Sequence, residues 1–255
     1  MTHASGMFCW FECGTTDAAA ARSFYCKLFG WDAVDVPMPG EGGGTYTLFQ
    51  ADGADIAGLY ELAGPQIEGV PSNWATYVSV ENADESAAKA EALGATILQA
   101  PMDVPGVGRL AFFADPNGAN IGVFRLEEHP GTDPDKTNLG WAELHTPDPE
   151  ASRAFYTELF NWGAREDPSG EYTEWQVAGN SIGGMMAIPP DRQDMPSHWM
   201  IYASVGDCDE TLARASDMGA KVIVPAQDVP DVGRFGVITD PTGAVIAVIR
   251  LTEIA

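Results

Sequence analysis

Asp103-Val-Pro-Gly-Val-Gly-Arg-Leu-Ala-Phe-Phe-Ala-Asp-Pro-Asn-Gly-Ala119 returns as Asp228-Val-Pro-Asp-Val-Gly-Arg-Phe-Gly-Val-Ile-Thr-Asp-Pro-Thr-Gly-Ala244, 125 residues further on. Pro71-Ser-Asn-Trp-Ala-Thr-Tyr-Val-Ser-Val80 and Pro196-Ser-His-Trp-Met-Ile-Tyr-Ala-Ser-Val205 match at the same offset. Nearer the start, Ser23-Phe24-Tyr25 through Leu28-Phe29-Gly30-Trp31 pairs with Ala154-Phe155-Tyr156 through Leu159-Phe160-Asn161-Trp162. So long a period is a duplicated domain; solenoid units run about 20–50 residues. Function is therefore to be sought in a pair of related folds and in where the copies differ.

The copies divide the 255 residues into a first domain, 1–127, a linker, 128–139, and a second domain, 140–255. Each domain is long enough to bury a core. The linker's Pro, Gly, Asp and Thr read as surface loop. A net charge of −24 disfavours nucleic-acid and anionic-membrane partners, which rely on Lys and Arg. The first residues carry no basic n-region or apolar h-region, and no apolar run approaches a membrane span. Four cysteines, Cys9, Cys13, Cys26 and Cys208, are too irregular for a disulfide framework. A cytoplasmic location is the expectation.

Within copy one, Phe8–Gly14 reads as a strand and Asp17 as a helix cap. Ala21, Phe24, Tyr25 and Leu28 form the helix's apolar side, and Gly30 ends it. A hairpin follows at Tyr46–Ala51 and Ile56–Glu61, turning at Asp52-Gly53. Further on come a strand at Ala75–Val80, a helix ending near Gly94, and strands at Thr96–Gln99, Arg109–Ala114 and Asn120–Leu126. The order is βαβββ-βαβββ, repeated from Gly140. The expected class is α+β, each copy a curled mixed sheet with helices outside.

The early Asp followed by Phe-Tyr-x-x-Leu-Phe-Gly-Trp, and the late Asp-Pro-x-Gly-Ala turn, resemble the vicinal-oxygen-chelate superfamily. That superfamily holds glyoxalase I, bleomycin- and fosfomycin-resistance proteins and extradiol dioxygenases. The Asp-Val-Pro-x-Val-Gly-Arg stretch is similar to two-domain glyoxalase-like proteins of actinobacteria, among them hydroxylase-named proteins and neighbours of antibiotic pathways. The resemblance implies eight strands around a cleft in each domain and, in metal-dependent members, a first-strand His or Gln, a mid-domain His and a last-strand Glu. Counting along the motifs, those positions hold Trp10 and Trp141, Ala75 and Met200, and Gly122 and Ala247. A further carboxylate would fall near Gly58 or Gly184. No metal and no cofactor is the expectation.

Strand alternation puts other polar groups on the cleft side. Glu12 and Gly14 follow Trp10; Glu143 and His145 follow Trp141. Asn73, Tyr77 and Ser79 share the face of Ala75; His198, Tyr202 and Ser204 share that of Met200. Copy two thus concentrates Glu143, His145, His198 and Tyr202 as candidate catalytic residues, since a His–carboxylate pair can move a proton or orient a hydroxyl. Its competing readings are structural hydrogen bonds and a displaced metal site of His145, His198 and Glu143. Trp10, Glu12, Tyr46, Tyr77, Trp141, Tyr172, Trp175 and Met200 are the candidate ligand-binding residues, because aromatic walls suit planar organic molecules. Trp31 and Trp162 read as core, and a mobile lid is placed at Pro39–Gly44.

The resulting expectation is a metal-independent small-molecule-binding protein, a tailoring enzyme or accessory protein for an aromatic or polyketide-like metabolite, with copy two the more reactive cleft. The alternatives are a bleomycin-resistance-like sequestering protein and a metal-dependent lyase or dioxygenase. The expected partner is a small organic molecule; a homodimer is left open.

Overall fold

The computed structural model describes residues 3–38, 44–63, 69–127, 129–133, 136–192 and 194–252. The Pro39–Gly44 lid expectation falls almost wholly outside them. Copy one runs β1 (Phe8–Thr15), α1 (Ala18–Phe29), β2 (Asp32–Pro37), β3 (Thr45–Ala51) and β4 (Ala54–Glu61). It continues β5 (Asn73–Ser79), α2 (Ala83–Ala92), β6 (Thr96–Val104), β7 (Gly108–Ala114) and β8 (Asn120–Leu126). Copy two begins β9 (Leu139–Thr146), α3 (Pro149–Phe160), β10 (Gly163–Glu166), β11 (Tyr172–Val177) and β12 (Asn180–Ala187). It ends with β13 (His198–Ser204), α4 (Cys208–Asp217), β14 (Lys221–Val229), β15 (Gly233–Thr239) and β16 (Val245–Leu251).

Each copy forms an eight-stranded mixed sheet, ordered β2-β3-β4-β1-β5-β8-β7-β6 and β10-β11-β12-β9-β13-β16-β15-β14. Parallel pairs join β1 to β4, β5 to β8, β12 to β9 and β13 to β16; the hairpins pair antiparallel. The helices form where caps and periodicity put them. Asp17 accepts the Ala20 amide, and Ala21, Phe24, Tyr25 and Leu28 are the buried side of α1. Gly30 ends α1 at φ 74°; Asn161 ends α3 at φ 57°, asparagine being the other residue that tolerates this region.

Packing divides the chain differently from the sheets. One compact unit comprises Met1–Trp10, Ala75–Gly131 and Trp141–Met200; the other comprises Phe11–Trp74, Thr132–Gly140 and Ile201–Ala255. Each unit therefore draws on both copies. In the first, the α3 phenol Tyr156 donates to Asp115 Oδ2 (2.9 Å) in the β7–β8 turn, and Trp199 Nε1 donates to Tyr156 Oη (3.0 Å). In the second, Tyr25 of α1 donates to Asp240 Oδ2 (2.8 Å), and Trp74 Nε1 to Tyr25 Oη (2.8 Å). The Phe-Tyr helix motif of one copy thus docks on the Asp-Pro-x-Gly turn of the other. Trp162 lies in the first unit's core with Phe155, Tyr156, Trp175 and Trp199, and Trp31 is buried in the second, as expected for both.

The repeated arginine is a clamp. Arg109 holds Asp84 of α2 with Nε (2.6 Å) and Nη2 (2.8 Å), and Asp103 with Nη1 (2.9 Å). Arg234 does the same to Asp209 of α4 and to Asp228. The motif's first and last residues therefore close their own hairpin onto their own helix. The glycine before each arginine is obligatory: a Cβ at Gly108, φ 153°, would collide with the Arg125 carbonyl.

Two sequence readings need correction. The linker is not simply surface loop: Gly131 and Thr132 are buried, and Thr132 Oγ1 donates to the Ile56 carbonyl (2.9 Å). Trp175 is not a cleft residue. It is fully buried beneath α3, 5.7 Å from the Tyr156 ring and 5.5 Å from Trp162. Its position is an odd number of residues from Tyr172, so the two side chains leave β11 on opposite faces.

Candidate functional site

Five of the candidate residues meet in copy two, all within the first unit. On β9, Trp141, Glu143 and His145 alternate onto one face. Trp141 Nε1 donates to Tyr172 Oη (3.2 Å), Tyr172 Oη donates to Glu143 Oε2 (2.8 Å), and His145 Nε2 lies 2.9 Å from Glu143 Oε1. The His198 ring, from β13, stacks on that of His145 at 4.8 Å and 13°. Glu143 is 7% exposed. A buried carboxylate needs its donors, and here it takes one on each oxygen.

The proton positions follow from what each partner can do. Burial and then the Glu143 charge beside it push the Tyr172 phenol up, so it stays a neutral donor. A carboxylate only accepts, so His145 donates from Nε2. Its Nδ1 is buried with no partner among the described residues. Ser197 Oγ donates to the His145 carbonyl (2.9 Å), tying β9 to the segment that carries His198.

His198 is held below the ordinary imidazole value, by burial first and by the His145 ring second; the Pro196 carbonyl and Glu143 pull it the other way. A depressed folded value means the unfolded chain takes up the proton first as pH falls. This stabilising contribution is complete above about pH 6.5 and is lost as pH drops through the folded value. Urea melts between pH 7.5 and 5 should show the wild type losing more stability than His198→Asn. Parallel curves would remove His198 from the balance.

Tyr172 keeps its place because Gly184 leaves room: a Cβ there would fall within the phenol. Gly184→Ala is therefore expected to expel the Tyr172 hydroxyl from Glu143, read as an altered near-ultraviolet tryptophan and tyrosine spectrum with helix content unchanged. A native spectrum would show that β12 yields instead.

Copy one repeats half of this. Tyr46 donates to Glu12 Oε1 (2.6 Å), over Gly58 as Tyr172 lies over Gly184. The counterpart of His145 is Gly14, and Tyr60 fills its place: the hydroxyl stands 3.0 Å from where a Gly14 Cβ would be. In copy two the residue in register with His145 is Met186. In the first unit, Trp10 is 4% exposed, its ring edge-on to His129 at 4.9 Å. His129 comes from the linker, and its Nδ1 accepts the Gly131 amide (3.0 Å). Nothing local in the sequence announced this contact. Both tryptophans lie opposite buried Cys9 and Phe11 or Ala142 and Leu144, as alternation requires.

The remaining candidates are buried. Tyr77 lies over Gly122, where a Cβ would fall inside its ring, with Phe112 at 5.6 Å and Phe124 at 6.1 Å. Met200 is buried. Tyr202 belongs to the second unit, in register with Ala247 and 6.2 Å from the Phe235 ring. Among the described residues, no three His, Cys, Asp or Glu side chains are grouped to hold a metal ion.

A tandem of eight-stranded mixed sheets built from βαβββ units is the architecture of a glyoxalase-type protein. The chain belongs to the Glyoxalase/Bleomycin resistance protein/Dioxygenase superfamily, whose model matches residues 9–123 and again 138–248. It is 35% identical over 246 residues to a candidate glyoxylase, CFP32, of Mycobacterium tuberculosis, covering 94% of this chain and 93% of that one. It is 34% identical over 265 residues to the anthracycline biosynthesis protein DauV of Streptomyces sp. strain C5, covering 98% and 95%. Among solved structures, the Mn(II)-bound glyoxalase from Novosphingobium aromaticivorans superposes with TM-score 0.65 at 16% identity, covering 98% of this chain and 84% of that one. Homoprotocatechuate 2,3-dioxygenase from Brevibacterium fuscum gives 0.64 at 17%, covering 98% and 81%. These two likenesses concern the fold.

Proposed function

We propose that the chain binds an aromatic, polyketide-like small molecule at the copy-two site without a metal ion, as a tailoring enzyme or accessory protein. The Trp141–Tyr172–Glu143–His145–His198 chain carries this reading: it joins an indole wall to a buried, fully bonded carboxylate and two imidazoles. The relative named for anthracycline biosynthesis supports the ligand class.

The superfamily's metal does not fit these residues. Trp10, Trp141, Ala75, Gly122 and Ala247 offer no ligating atom, and Met200 only a buried thioether. At Gly122 the Tyr77 ring leaves no space for a carboxylate side chain. A displaced site using His145 and His198 fares no better. An ion at bonding distance lies close to the plane of each ligating imidazole, and two rings stacked 4.8 Å apart at 13° share no such point.

Copy two is the favoured site because Gly14 and Asn73 stand in copy one where copy two has His145 and His198, and Tyr60 occupies the space beside Gly14. Titration with 9,10-anthraquinone, followed by tryptophan quenching, is expected to saturate at one equivalent and to survive dialysis against EDTA. Trp141→Ala should weaken it about tenfold through lost stacking, and Trp10→Ala by less than about twofold. EDTA-sensitive binding, or equal losses in both variants, would overturn the assignment. Loss of turnover with retained binding in Glu143→Gln marks an enzyme; a sequestering protein has no turnover to lose.

A further inference from the structure

The copies contain an internal control for the state of His198. Its Nδ1 stands 2.9 Å from the Pro196 carbonyl, two residues back. At the matching position of copy one, Asn73 Nδ2 stands 2.9 Å from the Pro71 carbonyl. An amide nitrogen can only donate there, and a carbonyl can only accept. His198 therefore carries its proton on Nδ1, and Nε2 is left with the lone pair. That atom has no partner among the described residues and, unlike His145 Nδ1, is not sealed from solvent.

The neighbouring donors are already committed. Tyr172 and His145 both give their protons to Glu143. The solvent-reaching atom of His198 is thus an acceptor beside a buried carboxylate. We infer that the copy-two site selects ligands through a neutral hydroxyl of phenol or enol type, which donates its proton to Nε2 of His198. This rests on the proposed aromatic-binding reading and adds the ligand group that the site reads. A methyl ether leaves the lone pair unmatched, and a carboxylate meets Glu143 with like charge.

The test compares 2-hydroxyanthraquinone, 2-methoxyanthraquinone and anthraquinone-2-carboxylate on the full chain near pH 7, by calorimetry. The wild type is expected to bind the hydroxyl compound about tenfold tighter than the ether, the ratio one matched buried hydrogen bond supplies, with the carboxylate weakest. His198→Asn copies the residue of copy one, keeps a donor for Pro196 and withdraws the lone pair; the ratio should fall below about twofold. Nitrogen-15 imidazole spectra of the wild type give a readout that needs no variant. His198 Nε2 should appear as the unprotonated nitrogen and should shift toward shielding with the hydroxyl probe and not with the ether. Equal affinities for hydroxyl and ether, or a protonated Nε2 in the free protein, overturn the inference and leave aromatic binding standing. Failure of all three compounds to bind overturns the aromatic reading, and the inference with it.

Discussion

Asp240→Ala is expected to remove about 3–5 kcal/mol of folding stability, by leaving the buried Tyr25 hydroxyl and Ala244 amide without an acceptor and untying the part-buried turn donors of Thr242 and Gly243. Oδ1 of Asp240 accepts the amides of Thr242 (2.7 Å), Gly243 (2.8 Å) and Ala244 (3.0 Å) and the Thr242 hydroxyl (2.8 Å). Oδ2 accepts the Tyr25 phenol, itself fully buried. The buried Ala244 amide has no route to water once the carboxylate is gone, whereas the part-buried amides of Thr242 and Gly243 can be solvated. For a chain of this length the loss corresponds to a fall in melting temperature of about 10 °C. Tyr25→Phe withdraws one donor and should cost about 1–2 kcal/mol. Urea melts followed by circular dichroism measure both. A variant within about 1 kcal/mol of wild type at Asp240→Ala would show that the turn holds itself and that the helix merely rests on it.

The same carboxylate shows what kind of signal a sequence carries. Asp-Pro-x-Gly-Ala reads as a turn from its residue types, and Asp17, Ala21, Phe24, Tyr25, Leu28 and Gly30 read as a capped amphipathic helix. These are local patterns, and the structure has them at those residues. That Tyr25 meets Asp240, and Tyr156 meets Asp115, is invisible in either pattern, because the contact joins different copies. Strand β2 escaped the reading because Asp-Ala-Val-Asp-Val-Pro is exposed along most of its length and shows little apolar alternation.

Side-chain parity explains where the candidate residues lie, Trp175 included. Trp141, Glu143 and His145 are two apart and share a face, so they come together with Tyr172 as alternation requires. Trp175 stands three from Tyr172, and the same rule, applied to β11, places it in the core. His129 had no local mark at all: its approach to Trp10 depends on where the linker returns. The direction of the protons in copy two also lay beyond the sequence. It depends on the Pro196 carbonyl and on two donors converging on Glu143, which are matters of distance.

Separating the copies between residues 127 and 128 is expected to abolish independent folding of either half. Each compact unit takes its helices and strands from both copies, so a half-chain would expose the apolar sides of both its helices. Ala21, Phe24, Tyr25 and Leu28 of α1 lie in the second unit with α4, and α2 lies in the first with α3. Fragment 1–127 would also hold Tyr25 without Asp240 and Asp115 without Tyr156. Burial already pushes the Asp115 carboxyl up, so an unpartnered Asp115 in a half-formed core would favour solvent over folding. Only assembly restores these contacts, either with fragment 128–255 or between two copies of the same fragment, whose helix and turn motifs correspond. The expected result is a fragment whose stability rises with concentration, and a sharp two-state melt on mixing the halves at equal concentration. Sedimentation and urea melts at several concentrations make the measurement. A monomeric fragment 1–127 with a concentration-independent cooperative melt would show that the sheet of one copy, rather than the shared core, is the unit that folds.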